Sequence, residues 1–468
     1  MSNINFKAFL PVVVLLVFWF IPAPEGLSVN AWHFLAIFFA VVVGLIIEPV
    51  PAALIGFAGI SLVALLGLIG NPKESITWAL SGFSNSVIWL IFAAFMFALG
   101  YKKTGLGKRV SLIMIKYMGK SSLGLGYAVA FSDLILSPFM PSNTARSAGS
   151  VYPVAINIPH IFDSYPDKDP RKLGAYISWV AIATTCVTSS MFLTALAPNL
   201  LAVDLIAKTS GHVISWGEWA GVMLPLMIPL FLLTPWLTYV IYPPTQKKSP
   251  EAPAWAAEEL KQLGPVTFKE YLMAGLATVA LVLWIFGKEF GVDSTTVAIS
   301  IVSIMVLANV ITWDDLISNK AAFNVLIWFA SLVAMASGLI KVGVLDWIAA
   351  NTQTMLSGMN PTTLIVSLLV LFFLLHYFFA SVTAHVTALI PIFMTIAASL
   401  LAPEQIVPFT VILAGSLGIM GIITPYATGP SPIWYGAGYI SQARWWALGA
   451  IFGAIYLSVL ILGAFLFI

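Results

Sequence analysis

Residues 142–146 read Ser-Asn-Thr-Ala-Arg and residues 381–385 read Ser-Val-Thr-Ala-His, two near-copies of one polar pattern inside long apolar surroundings. Ser, Asn and Thr at the start of a helix cap its free N–H groups, and they leave hydroxyl and amide donors facing the space beyond. The helix N-terminus adds partial positive charge and open backbone donors, which suits a carboxylate or another anion. Two such ends brought together would hold an anion with a carboxylate at each end, which describes a short dicarboxylate. The plainer alternative is that these side chains only cap half-helices.

Arg146 and His385 each follow the serine of their copy by four residues. An Arg at membrane depth costs a few kcal/mol on insertion scales, so it requires a partner or a function. Its planar fork matches a carboxylate bidentately and its charge is permanent, whereas a His carries charge only when protonated. The structural alternatives are an ion pair of Arg146 with Asp133 or Glu48, and a neutral His385 bonded to backbone. His376, in an apolar run, reads as a packing residue. The glycines of "GLGLG" at 122–126 follow no strand, so they do not make a nucleotide loop. Neither a Ser-His-acid set nor a metal-ligand set stands out, so no enzyme activity and no cofactor are expected.

These residues must be positioned by membrane helices. Of 468 residues 60% are hydrophobic and only 9% charged, far below the roughly 25% charged typical of soluble domains. About eleven spanning segments are expected, near 8–25, 31–48, 52–70, 84–101, 174–200, 217–242, 270–288, 294–311, 323–340, 405–440 and 443–467. Two further apolar stretches, 122–157 and 362–402, are interrupted by the polar copies and read as re-entrant hairpins. The segments 174–200 and 405–440 are broken by "TALAPN" and "TPYATGPSP", and broken backbone at membrane depth persists only where protein or a cavity satisfies it. The single cysteine, Cys186, excludes an intrachain disulfide. A net charge of +2 gives no reason to expect a nucleic-acid partner.

Lys and Arg counts set the orientation. Fifteen fall on loops of one side and five, Lys73, Lys208, Lys288, Lys341 and Arg444, on the other. This bias places the N-terminus in the cytoplasm and the C-terminus outside a cell membrane. The polar stretch 243–269 then forms a cytoplasmic linker with a short surface helix at "APAWAAEELKQL". An N-terminal span (1–29) precedes a first repeat (30–242), and a second, inverted repeat (270–468) follows the linker. Shifting the chain by 239 residues superposes the two polar copies, and the same shift pairs Asn85 with Asn324, Ile88 with Ile327, Trp89 with Trp328 and Lys102 with Lys341. Inverted repeats with broken helices are a hallmark of secondary transporters.

With these paired motifs the chain resembles the divalent anion:sodium symporter superfamily, and is especially similar to the branch that holds citrate/succinate and tartrate/succinate antiporters and the 2-oxoglutarate/malate translocator. The resemblance extends from about residue 30 to the end. It implies an all-α fold of eleven spans with two re-entrant hairpins, a homodimer, and an elevator-like movement of the part bearing both tips. Ser142, Asn143 and Thr144 would face one end of the substrate and Ser381 and Thr383 the other. Pro198, Asn199, Thr428 and Pro430 of the broken helices would complete the site. Sodium-coupled members carry Asn in both tips, where this chain has Val382 in the second, and a sodium-site serine where it has Pro138. The expectation is therefore sodium-independent exchange of di- or tricarboxylates such as 2-oxoglutarate, malate, succinate or citrate, with Arg146 and protonated His385 as built-in countercharges. A sodium- or proton-coupled symporter of the same fold is the alternative.

Overall fold

The computed structural model describes residues 9–356 and 358–468; Lys7 and the expected cytoplasmic N-terminus lie outside the described residues. Among the described residues the secondary structure is helical, apart from one isolated bridge between Ser121 and Lys248. Among the described residues ten helices are long and apolar enough to cross a membrane. Val29–Ile47, Ser86–Thr104, Trp216–Ile241, Phe268–Phe290, Lys320–Lys341 and Gln442–Phe467 lie where single spans are expected. Leu10–Phe20, Ala52–Leu65 and Ser294–Leu307 lie at expected positions too but are shorter. The chain is a polytopic all-α membrane protein with two polar-tipped hairpins and two broken helices.

The first break follows helix Gly174–Met191, which is buried along its whole length. Phe192 turns extended, Leu193–Ala195 form one 3-10 turn, Leu196 is extended again, and Ala197–Ser210 resumes as a helix. Such a break strands carbonyls at one helix end and N–H groups at the next. Asn199 Nδ2 answers the first, donating to Ser189 O at 2.8 Å, and the Ala197 N–H finds Pro141 O at 2.7 Å. The second break, after helix Pro403–Ile419, runs through a 3-10 turn and an irregular stretch to the short helix Ser431–Gly436. The two broken helices meet backbone to backbone. A Cβ on Gly418 would lie 2.4 Å from Ser190 Oγ, and that hydroxyl instead accepts the Ile419 N–H at 3.0 Å.

The hairpins differ in their return arms. The second descends along Pro361–Leu375 and returns as the regular helix Val382–Leu400. The first descends along Ser122–Leu136, but its return is a π-helix, Thr144–Val151, followed by a single α-turn at Tyr152–Ala155. Half-spanning α-helices were expected in both. The wider π turn is a feature that tends to sit at functional sites.

The linker carries its helix at Glu251–Gln262, against helix Leu106–Met118. It is stitched to the start of the first hairpin by Ser122 N to Lys247 O (3.1 Å) and Ser249 N to Lys120 O (3.1 Å). A buried ion pair, Arg109 with Glu270 at 2.5 Å, anchors its far end. One basic residue changes sides. Tyr242 stacks under Arg171 (3.9 Å) and lies 5.8 Å from Arg444. Arg444 thus shares the face of the linker and leaves the outer group, because the second broken helix crosses back before the last span begins.

Candidate functional site

Both tips open onto one cavity of about 280 Å³. Ser142, Asn143 and Thr144 line it from the first hairpin, Ser381, Val382 and Thr383 from the second, Pro198 from the first break and Thr428 from the second. Ser142 and Ser381, 239 residues apart in sequence, thus line one cavity. Ser142 Oγ accepts the Ala145 N–H at 3.1 Å and Ser381 Oγ accepts the Ala384 N–H at 3.4 Å, so each serine caps its arm. Asn143 Nδ2 donates to Thr428 Oγ1 at 2.7 Å, tying the first tip to the second break. The second tip is tied to the same break, since His376 Nε2 lies 2.7 Å from Ala427 O. Gly429 closes the wall beside them: any Cβ there would sit 1.9 Å from Thr144 Oγ1.

Asn199 and Pro430 are not in the cavity wall. Asn199 gives its Nδ2 to the break carbonyls while its buried Oδ1 has no partner among the described residues, and Pro430 precedes the short helix that starts at Ser431. Arg146 is also elsewhere. It is fully buried, with Nε 3.1 Å from both oxygens of Asp133. Its Nη1 donates to the carbonyls of Met140 and Ala195 at 2.8 Å, and its Nη2 to Ser189 Oγ at 3.0 Å. Thr185 and Thr188 donate to Asp133 as well. This revises the expectation of a bare charge at Arg146: the pair is electrically neutral and every edge of the guanidinium is engaged. Glu48, the other partner considered, takes no part in it.

His385 is buried behind the second tip. Its ring packs at 4.4 Å on Phe372, 4.9 Å on His376 and 5.0 Å on Phe379. Among the described residues neither of its ring nitrogens has a hydrogen-bond partner. His376, expected only to pack, also ties the tip down.

Sequence reasoning missed the opposite wall of the cavity, made by Glu48, Phe95, Val325, Trp328 and Phe329. A signal was present for one of them, since Trp328 pairs with Trp89 under the repeat offset. No group of three or more His, Cys, Asp or Glu placed to hold a metal occurs among the described residues.

What the arrangement offers is a small cavity with hydroxyls, an amide and two capped helix starts converging from opposite sides, which suits an anion with two charged ends. The sodium:sulfate symporter transmembrane region matches residues 2–467. The chain is 49% identical over 467 residues to the L-tartrate/succinate antiporters of Shigella sonnei (strain Ss046) and Escherichia coli (strain K12), covering 97% of this chain and 95% of each relative. Among solved structures, the Alcanivorax borkumensis YdaH transporter has a TM-score of 0.61 at 14% identity, covering 94% of this chain and 98% of its own. Neisseria gonorrhoeae MtrF has 0.59 at 12%, covering 91% and 97%. These two likenesses concern the fold alone. The family match across the whole length, together with the paired tips, shows that the chain belongs to the divalent anion:sodium symporter superfamily.

Proposed function

We propose that this protein exchanges C4 dicarboxylates, succinate and L-tartrate foremost, across a cell membrane without sodium. The observation that carries the reading is the convergence of two inverted tips on one cavity. One carboxylate is taken by Ser142, Asn143 and Thr144, the other by Ser381 and Thr383, with Thr428 and Pro198 shaping the space between. A cavity of about 280 Å³ lies just below the 300–1,000 Å³ of drug-sized ligand pockets, which favours a four-carbon diacid, malate included, over citrate, with the five-carbon 2-oxoglutarate between. The tartrate/succinate relatives support the same choice.

In this reading the N-terminus is cytoplasmic and the C-terminus external, with repeats at 30–242 and 270–468 joined by a cytoplasmic linker. The tips and broken helices move as one body against the wall of Glu48, Val325 and Trp328, in an elevator-like step, within a homodimer. Val382 at the second tip and Pro138 at the first supply no side-chain oxygen, and a hard cation needs several oxygens. His385 is retained as the titratable countercharge, whereas Arg146 serves the fold of the first hairpin.

Counterflow in proteoliposomes tests this. Labelled succinate should enter vesicles loaded with unlabelled succinate or L-tartrate equally well with and without sodium, with citrate a poor counter-substrate. Uptake that requires sodium, and proceeds into vesicles empty of dicarboxylate, would establish the coupled symporter instead.

A further inference from the structure

Glu48 puts a carboxylate in the wall of a cavity whose donors suit carboxylates. It ends helix Val29–Ile47 in a left-handed conformation, φ 47° and ψ 53°, which a non-glycine residue adopts at a cost and which tends to mark functional positions. Pro49 and Pro51 follow, so the backbone there is stiffly held. Glu48 is exposed, and among the described residues its carboxylate has neither a hydrogen-bond partner nor a cation, so it stands in the open part of the cavity free to move. A mobile carboxylate that shares a cavity with two helix starts is attracted to them.

We propose that Glu48 is a tethered surrogate for substrate: when the dicarboxylate leaves, the Glu48 carboxylate takes up donors of the tips and holds them against the opposite wall. This rests on the exchange reading above and supplies it with a cause. An exchanger must be unable to return empty. The expected cause, a fixed positive charge at Arg146, is cancelled by Asp133. A carboxylate fixed to the stationary wall has the same outcome by another route, because the unloaded tips stay pinned until an incoming carboxylate displaces Glu48. The competition also weakens apparent substrate affinity, by the fraction of carriers in which the tips are free.

The test uses the full chain in liposomes, with labelled succinate and vesicles either loaded with succinate or empty. Glu48→Gln should raise the ratio of empty-vesicle uptake to counterflow about tenfold and lower the succinate KM by a similar factor. Glu48→Cys gives a second variant in which charge is restored chemically, since the sole native thiol, Cys186, is buried. A negatively charged methanethiosulfonate should return the ratio toward the wild-type value, and a neutral one should not. An unchanged ratio and KM in folded Glu48→Gln, or equal effects of the two reagents, would overturn the proposal. Wild-type protein that shows no succinate counterflow would instead overturn the exchange reading itself.

Discussion

The two hairpins start from nearly the same five residues and bury them in opposite ways. In the first, the position after the Ser-x-Thr-Ala pattern is Arg146, and the fold surrounds it with Asp133, two threonines, a serine and two carbonyls. In the second, the same position is His385, packed among Phe372, His376 and Phe379 with both ring nitrogens unpartnered. The first solution is polar and saturated; the second is aromatic and leaves its nitrogens free. A permanent charge cannot be put away without a counter-ion and donors, whereas an imidazole can shed its charge and pack as a ring. The asymmetry of the sequence is thus an asymmetry of solvation. It makes Arg146 a structural hub joining the first tip to the first break, and leaves His385 a ring packed among aromatics.

The sharpest way to break this contrast is to remove one member of the pair. Arg146→Met leaves Asp133 as an uncompensated buried charge, and losses of about 3–5 kcal/mol are typical of such half-removals. We expect a large fall in melting temperature of the purified protein in detergent, and the same for Asp133→Leu. The double variant should recover most of the loss, because replacing a whole buried pair by apolar residues is often neutral. If Arg146 acted as a free countercharge, Arg146→Met would melt like the wild type and lose exchange alone.

That pair also shows where reading the sequence succeeds and where it stops. The tips were legible because Ser, Asn and Thr inside an apolar run have few uses other than capping, and the breaks because Pro and Gly interrupt helices visibly. The helix of the linker was legible at "APAWAAEELKQL", and it appears at Glu251–Gln262. The π-helical return of Thr144–Val151 was not, since no residue propensity records it; within it Arg146 meets Asp133, thirteen residues earlier on the other arm. Glu48 was weighed only as a partner for Arg146, because an acid near a break gives no sign of which cavity it will face. Asn199 entered as a site residue only through the family resemblance. Its Nδ2 is taken by the carbonyls of the break, which leaves only Oδ1 without a partner among the described residues, and three-dimensional bookkeeping of backbone bonds is needed to see that.

A second comparison separates the tips at their middle residue, Asn143 against Val382. Asn143 reaches across to Thr428 at 2.7 Å, whereas Val382 has no polar atom to offer. The bond holds the first tip in register with the second break, so its loss should loosen the cavity on the first side only. Asn143→Ala strands a buried hydroxyl, a loss of about 1–3 kcal/mol, and the succinate KM should rise about tenfold. Thr428→Val should do the same, and the double variant should be no worse than either single one, since both remove one shared bond. Additive losses would mean that each residue meets the substrate separately.

The smallest expected effect concerns the state of His385. As the proposed titratable countercharge, its protonated form adds positive charge behind the second tip and favours an anion there, so apparent affinity for succinate should improve as pH falls. His376 faces it at 4.9 Å, and two imidazolium rings at that separation repel, so at most one of the pair is expected to carry the proton. The change across the titration should be a few-fold, because one charge set behind the tip acts on the substrate through intervening backbone. His385→Gln should flatten the profile while His376→Gln, which cuts the tie to Ala427, should raise KM at every pH. The measurement is succinate KM for exchange between pH 5 and 8, taken above the range where succinate itself gains protons or corrected for it. A wild-type profile already flat after that correction would make His385 a packing ring, and the two hairpins would then differ in how they bury a residue and in nothing that the substrate can feel.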